Sequence, residues 1–379
     1  MTTSPEEQAL FADASEVKLE RQQLNPADTA FAIQRGLAKA RTRRMKGHVQ
    51  LKWITAVLVT ALAAGWLLMG TLGPTPQQAM YSPPAQNWGV LEPFRELAGK
   101  DVDGNTIISA INNGYVQLVN RSVKSGIYQL TINAVMADAN KMIVLYTAQT
   151  DASQEIYSVP KTSMVNGMTN QSLGNGGISS LYSSNGKYTL YGRSTVEMDE
   201  NTPLPGQVKF NFRISSVVPV LLTDANKVKK DTKYQFSKPM EVSFDLDPKF
   251  SVPKTEKIKL NQLFTIGGHE VLLSEAEVSP LVTRVRFIYE PNQNIDYKTK
   301  LSVSDVVNPT EIVSTTKNGQ KTKLSSVSGN GTDDGMIYSF SSNLLDDPQS
   351  LVLQLRGEPG KVYDDLQEAE KHKLELKIK

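Results

Sequence analysis

The chain has 379 residues, with 41 Lys and Arg against 39 Asp and Glu, 3 His and no Cys. That length predicts roughly two to three folded units, and a hydrophobic share of 39% excludes disorder throughout. Zero Cys excludes a disulfide framework, thiolate metal sites and a thiol nucleophile, and the near-even charge gives no sign of a direct nucleic-acid partner.

Residues 1–52 carry two helix starts. Ser4-Pro5-Glu6-Glu7 offers an N-cap, a Pro at the first helical position and acids in the first turn; Asn25-Pro26-Ala27-Asp28 repeats the pattern. Leu10, Phe11, Ala14 and Val17 form an apolar stripe on the first helix, and Phe31, Ile33, Leu37 and Ala38 on the second. Two such helices cannot bury a core alone. The arm is therefore either a solvated tail whose basic run holds anionic lipid or a segment completed by a partner. In the second case Leu10, Phe11, Val17, Phe31, Ile33 and Leu37 are the candidate partner-binding residues.

From Trp53 to Leu72 no residue is charged. About 20 residues at 1.5 Å each cross a hydrocarbon layer of about 30 Å, so this run predicts a transmembrane helix. A cleaved signal peptide would have a shorter apolar region and a shorter stretch before it. Arg35, Lys39, Arg41, Arg43, Arg44, Lys46 and Lys52 precede the run, with no acid among residues 31–52; no Lys or Arg lies between Gly70 and Phe94. The asymmetry predicts a single-pass protein of the cell membrane, N-terminus in the cytoplasm and C-terminus outside.

Residues 73–99 read as a Pro-rich stalk followed by a short helix from Trp88 to Gly99, and a second short helix runs from Asn105 to Asn113. Beyond Tyr115 the pattern alternates with period two, as in Tyr128–Ile132, Val208–Phe212, Val242–Leu246, Val285–Phe287 and Leu374–Ile378. Turn dipeptides punctuate it at Asn166-Gly167, Asn175-Gly176, Asn185-Gly186, Asn318-Gly319, Asn330-Gly331 and Asp334-Gly335. Such spacing predicts a mainly β region of β-sandwich domains. Gly126–Tyr146 can be laid on Gly268–Tyr289 with a one-residue length difference, which indicates a repeat. The expected domains are 100–248 and 253–379, divided at Pro248 and Pro253. The Gly/Asn/Ser-rich stretch Val165–Lys187 reads as a long loop, either a binding surface or an exposed loop without function.

Motifs for chemistry fail one by one. Ser251-Val-Pro-Lys254 matches S-x-x-K, but lies in the linker and lacks its companion elements. Asp101-Val-Asp103-Gly104-Asn105 resembles half a calcium loop, yet Thr106 and Asn112 stand where Gly and Glu are needed; a turn with a helix cap is the better reading. Asp333-Asp334, Asp346-Asp347 and Asp364-Asp365 read as solvated charges, with an outside Ca²⁺ site as the alternative. Gly174–Gly177 is not followed by a helical pattern, so it is no phosphate loop. His269 lies in an alternating strand and reads as a surface histidine. No cofactor, metal site or catalytic set is expected, and the chain is read as a non-enzyme.

Three segments together resemble a known family. Asn25–Met45, Ala110–Tyr146 and Thr265–Tyr289 are similar to the juxtamembrane arm, an outside domain of unknown function and the C-terminal immunoglobulin-like domain of single-pass anti-sigma-factor-like membrane proteins of Gram-positive bacteria. The resemblance implies a regulator whose arm holds an extracytoplasmic-function sigma factor in the cytoplasm, with immunoglobulin-like domains sensing outside. The chain lacks the His/Cys zinc motif of one large class of anti-sigma domains. A competing expectation is a cell-surface binding or structural protein, with a plain anchor and a cell-wall or envelope ligand.

Overall fold

A computed structural model of the chain describes residues 87–183, 186–198, 203–218, 234–252, 254–291, 296–356 and 373–379. The expected arm, with Leu10, Phe11, Val17, Phe31, Ile33 and Leu37, the expected span at 53–72 and residues 73–86 lie outside the described residues. No helix among the described residues is long and apolar enough to cross a membrane.

The described chain opens with a 3-10 turn, Gly89–Phe94, followed by α1 (Arg95–Lys100) and α2 (Gly104–Asn112). Trp88, Leu91, Phe94, Leu97 and Ala98 are all buried in the first core, so the segment read as the end of a stalk packs against the domain after it. In α2, Ile107 and Ala110 lie three apart and are fully buried, as expected of one helix face. The helix stops at Asn113-Gly114, where Gly114 has φ +67° and suits the left-handed exit.

The first β domain comprises β1 (Gln117–Ser125), β2 (Tyr128–Ala137), β3 (Lys141–Gln149), β4 (Glu155–Asn166), β5 (Gly174–Ser183), β6 (Gly186–Met198), β7 (Gln207–Val217), β8 (Gln235–Phe236) and β9 (Met240–Asp245). One antiparallel sheet runs β1-β2-β3-β6-β5; the other has β7 flanked by β4 on one side and by β8 and β9 on the other. Leu130, Ile132 and Leu190 from one sheet join Val208, Phe210 and Phe212 from the other in a single core.

The second domain comprises β10 (Glu256–Ile266), β11 (His269–Val278), β12 (Thr283–Tyr289), α3 (Tyr297–Val306), β13 (Pro309–Thr316), β14 (Lys321–Gly331), β15 (Gly335–Phe340), β16 (Pro348–Arg356) and β17 (Lys373–Lys377). Its strands follow the order β10-β11-β12-β15-β14-β13-β16-β17. The sheet turns a corner within β14: Lys321–Ser325 pairs with β13, whereas Ser326–Gly331 pairs with β15. Gln262 Nε2 donates to Lys377 O at 2.6 Å and Lys379 Nζ meets Glu256 at 2.8 Å, so side chains bridge the two end strands.

The two domains share one topology. Meander β1-β2-β3 matches β10-β11-β12, hairpin β5-β6 matches β14-β15, and β4-β7-β9 matches β13-β16-β17. Local defects repeat too, always 141 positions apart. Asn120 and Asn261 both have φ +48° at a register shift, and Gly126 and Gly267 turn with φ +62° and +59°. A second shift falls at Ile132/Ala134 and at Leu273/Glu275. Asp138 and Ser279 close equivalent hairpin tips. The repeat therefore aligns Gly126 with Gly267, without the length difference the sequence alignment carried. The adjacent Gly267-Gly268 pair let the sequence alignment start one residue late; both glycines have positive φ in the turn.

Val165–Lys187 is not a long loop: a short turn after Asn166 leads into β5, an edge strand of ten residues. Asn175-Gly176 and Asn330-Gly331 lie within strands rather than at turns. Gly319, with φ +81°, makes the turn its dipeptide predicted.

Strand β3 explains the layering. It is buried on both faces from Lys141 to Ala148 and reads as a continuous apolar run after its first residue. Tyr146 points into the core between the sheets, edge-on to Phe212 at 5.2 Å. On the other face Lys141 reaches the segment entering α2. Helices thus cover one face of this sheet and the second sheet covers the other.

Candidate functional site: the cleft between the β domains

The turn before α2 carries Asp101 and Asp103. Gly104 opens the helix because a Cβ there would lie 1.8 Å from Ala98 O. Asp103 occupies the N-cap position without capping; its carboxylate goes instead to sheet residues. Lys141 Nζ stands 2.6 Å from Asp103 Oδ1, with neither side chain exposed. Arg193 Nη1 lies 2.8 Å from Asp103 Oδ2, and Arg193 Nε 2.9 Å from Asp101 Oδ1. Thr195 Oγ1 donates to Asp103 Oδ2 at 3.4 Å. Two acids and two cations thus neutralise each other inside the protein. The sequence reading of Asp101–Asn105 as a plain turn and cap misses this, because Lys141 and Arg193 come from strands far along the chain.

Register places the next groups. Lys141 pairs with Glu197, Ile143 with Thr195 and Leu145 with Arg193 across β3 and β6, while Asn175 and Gly177 of β5 pair with Glu197 and Thr195. Directly paired residues share a face, so Arg193, Thr195, Glu197, Asn175 and Gly177 all face the same way. There a cleft of about 500 Å³ opens between the domains, closed on the far side by Val327, Ser328, Asn330, Gly331, Ile337 and Ser339 of β14 and β15 and by Arg284 of β12. Ser328 Oγ donates to Glu197 Oε1 at 3.0 Å and Ser339 Oγ to Glu197 Oε2 at 3.5 Å.

The joint beneath the cleft is polar and buried. The equivalent hairpin tips meet: Leu281 N–H donates to Asp138 Oδ2 at 2.8 Å, while Asp138 Oδ1 accepts from Asn140 and Lys141 N–H at 2.8 Å each. Burial pushes the Asp138 carboxyl above its ordinary pKa, against the downward pull of these bonds and of Ser279. Arg284 donates to Asn140 Oδ1 at 3.0 Å and to Asn140 O at 3.2 Å. Ser342 N–H donates to Thr106 Oγ1 at 2.7 Å, and Ser109 Oγ to Asp346 Oδ1 at 2.9 Å. Helix α2 thus gives its apolar face to the first core and its hydroxyls to the second domain.

Other residues singled out in the sequence lie apart. Ser251, itself exposed, ends a 3-10 turn whose Phe250 is buried, and Lys254 Nζ sits 5.1 Å over the Tyr115 ring, so this pair is not a nucleophile set on a helix. His269 Nδ1 lies 3.0 Å from Glu290 Oε1. Asp334 holds Arg286 at 3.1 Å through both carboxylate oxygens, and Asp346 accepts from Asn113 as well as Ser109; neither is a free solvated charge. Among the described residues no group of three or more His, Asp or Glu could hold a metal. Arg284 and Glu197 escaped the sequence reading. Each is one of several charges in a strand-like run, Arg284 with Arg286 and Glu197 with Lys187 and Arg193, so nothing in the sequence singles it out.

No protein-family model matches the chain, and no curated protein matches it significantly. Among solved structures, the conserved domain protein from Bacillus anthracis is similar at 13% identity and a TM-score of 0.44, over 70% of this chain and 93% of that one.

Proposed function

We propose that the chain is a single-pass membrane regulator of the anti-sigma kind. In this reading residues 53–72 cross the cell membrane, residues 1–52 hold a cytoplasmic sigma factor, and the β domains, of immunoglobulin-like sandwich type, sense outside. The observation that carries it is the uncharged run from Trp53 to Leu72, with seven cations and no acid on one flank and no cation on the other. Leu10, Phe11, Val17, Phe31, Ile33 and Leu37 would lie in a groove of the sigma factor, as amphipathic helices do, with Arg41, Arg43 and Arg44 along the bilayer. The protein acts by binding rather than by catalysis. In support, the acids and cations beside α2 are spent on one another, and a rigid two-sheet frame suits ligand recognition.

Protease shaving of intact protoplasts tests the topology. Cleavage of the β domains with the N-terminus protected is expected; the reverse pattern overturns the reading. Partner capture with residues 1–50, repeated with Phe31→Asp and Leu37→Asp, tests the arm. A sigma factor lost with those changes supports regulation. No partner, together with unchanged transcription when residues 1–34 are deleted, favours a surface-binding or structural protein.

A further inference from the structure

Two charges in the interdomain cleft have no counter-ion among the described residues. Glu197 accepts from the Ser328 and Ser339 hydroxyls, and Arg284 donates to Asn140; among the described residues neither forms an ion pair, with the other or elsewhere. Both are partly withdrawn from water, which costs free energy that no ion pair among the described residues returns. The acids and cations beside α2 show the contrast, since each of those meets an opposite charge.

The walls add a second observation. Strand β5 ends its sheet, so one row of its backbone N–H and C=O groups has no strand partner among the described residues. Across the cleft, β13 leaves β14 after Ser325, so among the described residues Ser326–Gly331 also has an unpaired edge. Both segments are mostly Gly, Ser and Asn, and a Cβ built at Gly177 meets nothing within 4 Å. Free strand edges with little side-chain bulk are templates for an extended chain.

We propose that this cleft binds a short extended peptide as a zwitterion, its carboxylate on Arg284, its ammonium on Glu197 and its backbone along β5. Opposite charges on one ligand answer the two unpaired groups, charge-assisted hydrogen bonds fix its direction, and the edge strand supplies main-chain bonds without demanding large side chains. The proposal deepens the sensing role above and rests on that reading only for its biological setting.

The full chain in detergent micelles, titrated with trialanine, tests it by calorimetry and thermal unfolding. Trialanine should bind and raise Tm in the low-millimolar range, about the level at which mass action becomes measurable. N-acetyl-trialanine and trialanine amide should each bind about tenfold more weakly or worse, as should Arg284→Gln and Glu197→Gln. Because Arg284 also holds Asn140, Gly177→Leu is the decisive variant: it fills open space, should unfold at the wild-type temperature without peptide, and should abolish binding. No binding of trialanine up to about 10 mM overturns the site. So does binding that survives Gly177→Leu or both capping groups. Sigma-factor capture by residues 1–50 is a separate readout, so the site can fail while the regulator stands, and the reverse.

Discussion

Asp103 has both carboxylate oxygens committed to cations in a place that water does not reach. Removing one member of a buried ion cluster strands the others, which typically costs about 3–5 kcal/mol. Asp103→Asn leaves Lys141 without its acid and Arg193 with Asp101 alone, so its denaturant midpoint should fall by that equivalent with the slope unchanged. Asp334 is the contrasting case at the surface. Burial raises its carboxyl pKa, but hydrogen bonds from Thr332 and Arg286 outweigh this and hold it below the ordinary value. A depressed carboxyl stabilises the fold above the unfolded pKa, about 4, and loses that contribution as pH falls through the folded value. Wild type and Asp334→Asn should therefore differ slightly in Tm at pH 7 and converge in acid; a difference that widened in acid would contradict the assignment. The effect is small because both partners of the pair are over one-third exposed.

Among the elements, the pairing of β3 with β6 depends on one missing side chain. Tyr146 pairs with Gly192, and a Cβ at Gly192 would come within 2.2 Å of the tyrosine ring. Tyr146 cannot give way, being fully buried and packed on Phe212. Gly192→Ala should cost about 1–3 kcal/mol by overpacking, read as a lower midpoint in chemical unfolding. A neutral result would mean that β6 can shift. The asparagines at φ +48° act at the same scale. Asn120 and Asn261 tolerate the left-handed conformation better than most residues, and each marks the shift that bends the first strand of its meander.

For the molecule as a whole, the joint between the domains decides cooperativity. The described residues form one compact unit although they hold two separate hydrophobic cores. Hydrogen bonds at the paired hairpin tips and at α2 link the cores. Asp138→Ala would leave the N–H groups of Asn140, Lys141 and Leu281 without their acceptor, at about 1–3 kcal/mol for each that stays dry. Calorimetry should then resolve two transitions where the wild type gives one, the first domain melting earlier because two of the three donors are its own. One unsplit transition would mean that the remaining contacts, at α2 and from Arg284, Ser328 and Ser339, suffice to couple the domains.

The sequence by itself determined the strands whose two faces differ. Tyr128–Ile132, Val208–Phe212 and Leu374–Ile378 alternate because one side meets a core and the other does not, and all three lie in strands except Ile378, just past the end of its strand. It also carried the repeat, through the spacing of glycines and apolar runs, though the Gly267-Gly268 pair hid the true register. Where both faces are buried, as in β3, alternation vanishes and Lys141 stands as a lone charge without a visible reason. Only the tertiary structure supplied that reason, by bringing Asp103 to it across the sheet. The same holds for the cleft. Glycine, serine and asparagine in Val165–Lys187 read as a loop because local propensity favours one, yet pairing with β6 makes the stretch an edge strand. Glu197 and Arg284 are 87 positions apart and meet at one site because two copies of one topology join at their hairpin tips. Local pattern encodes which residues prefer a buried face; which charges then share a cleft depends on long-range packing, which no local pattern records.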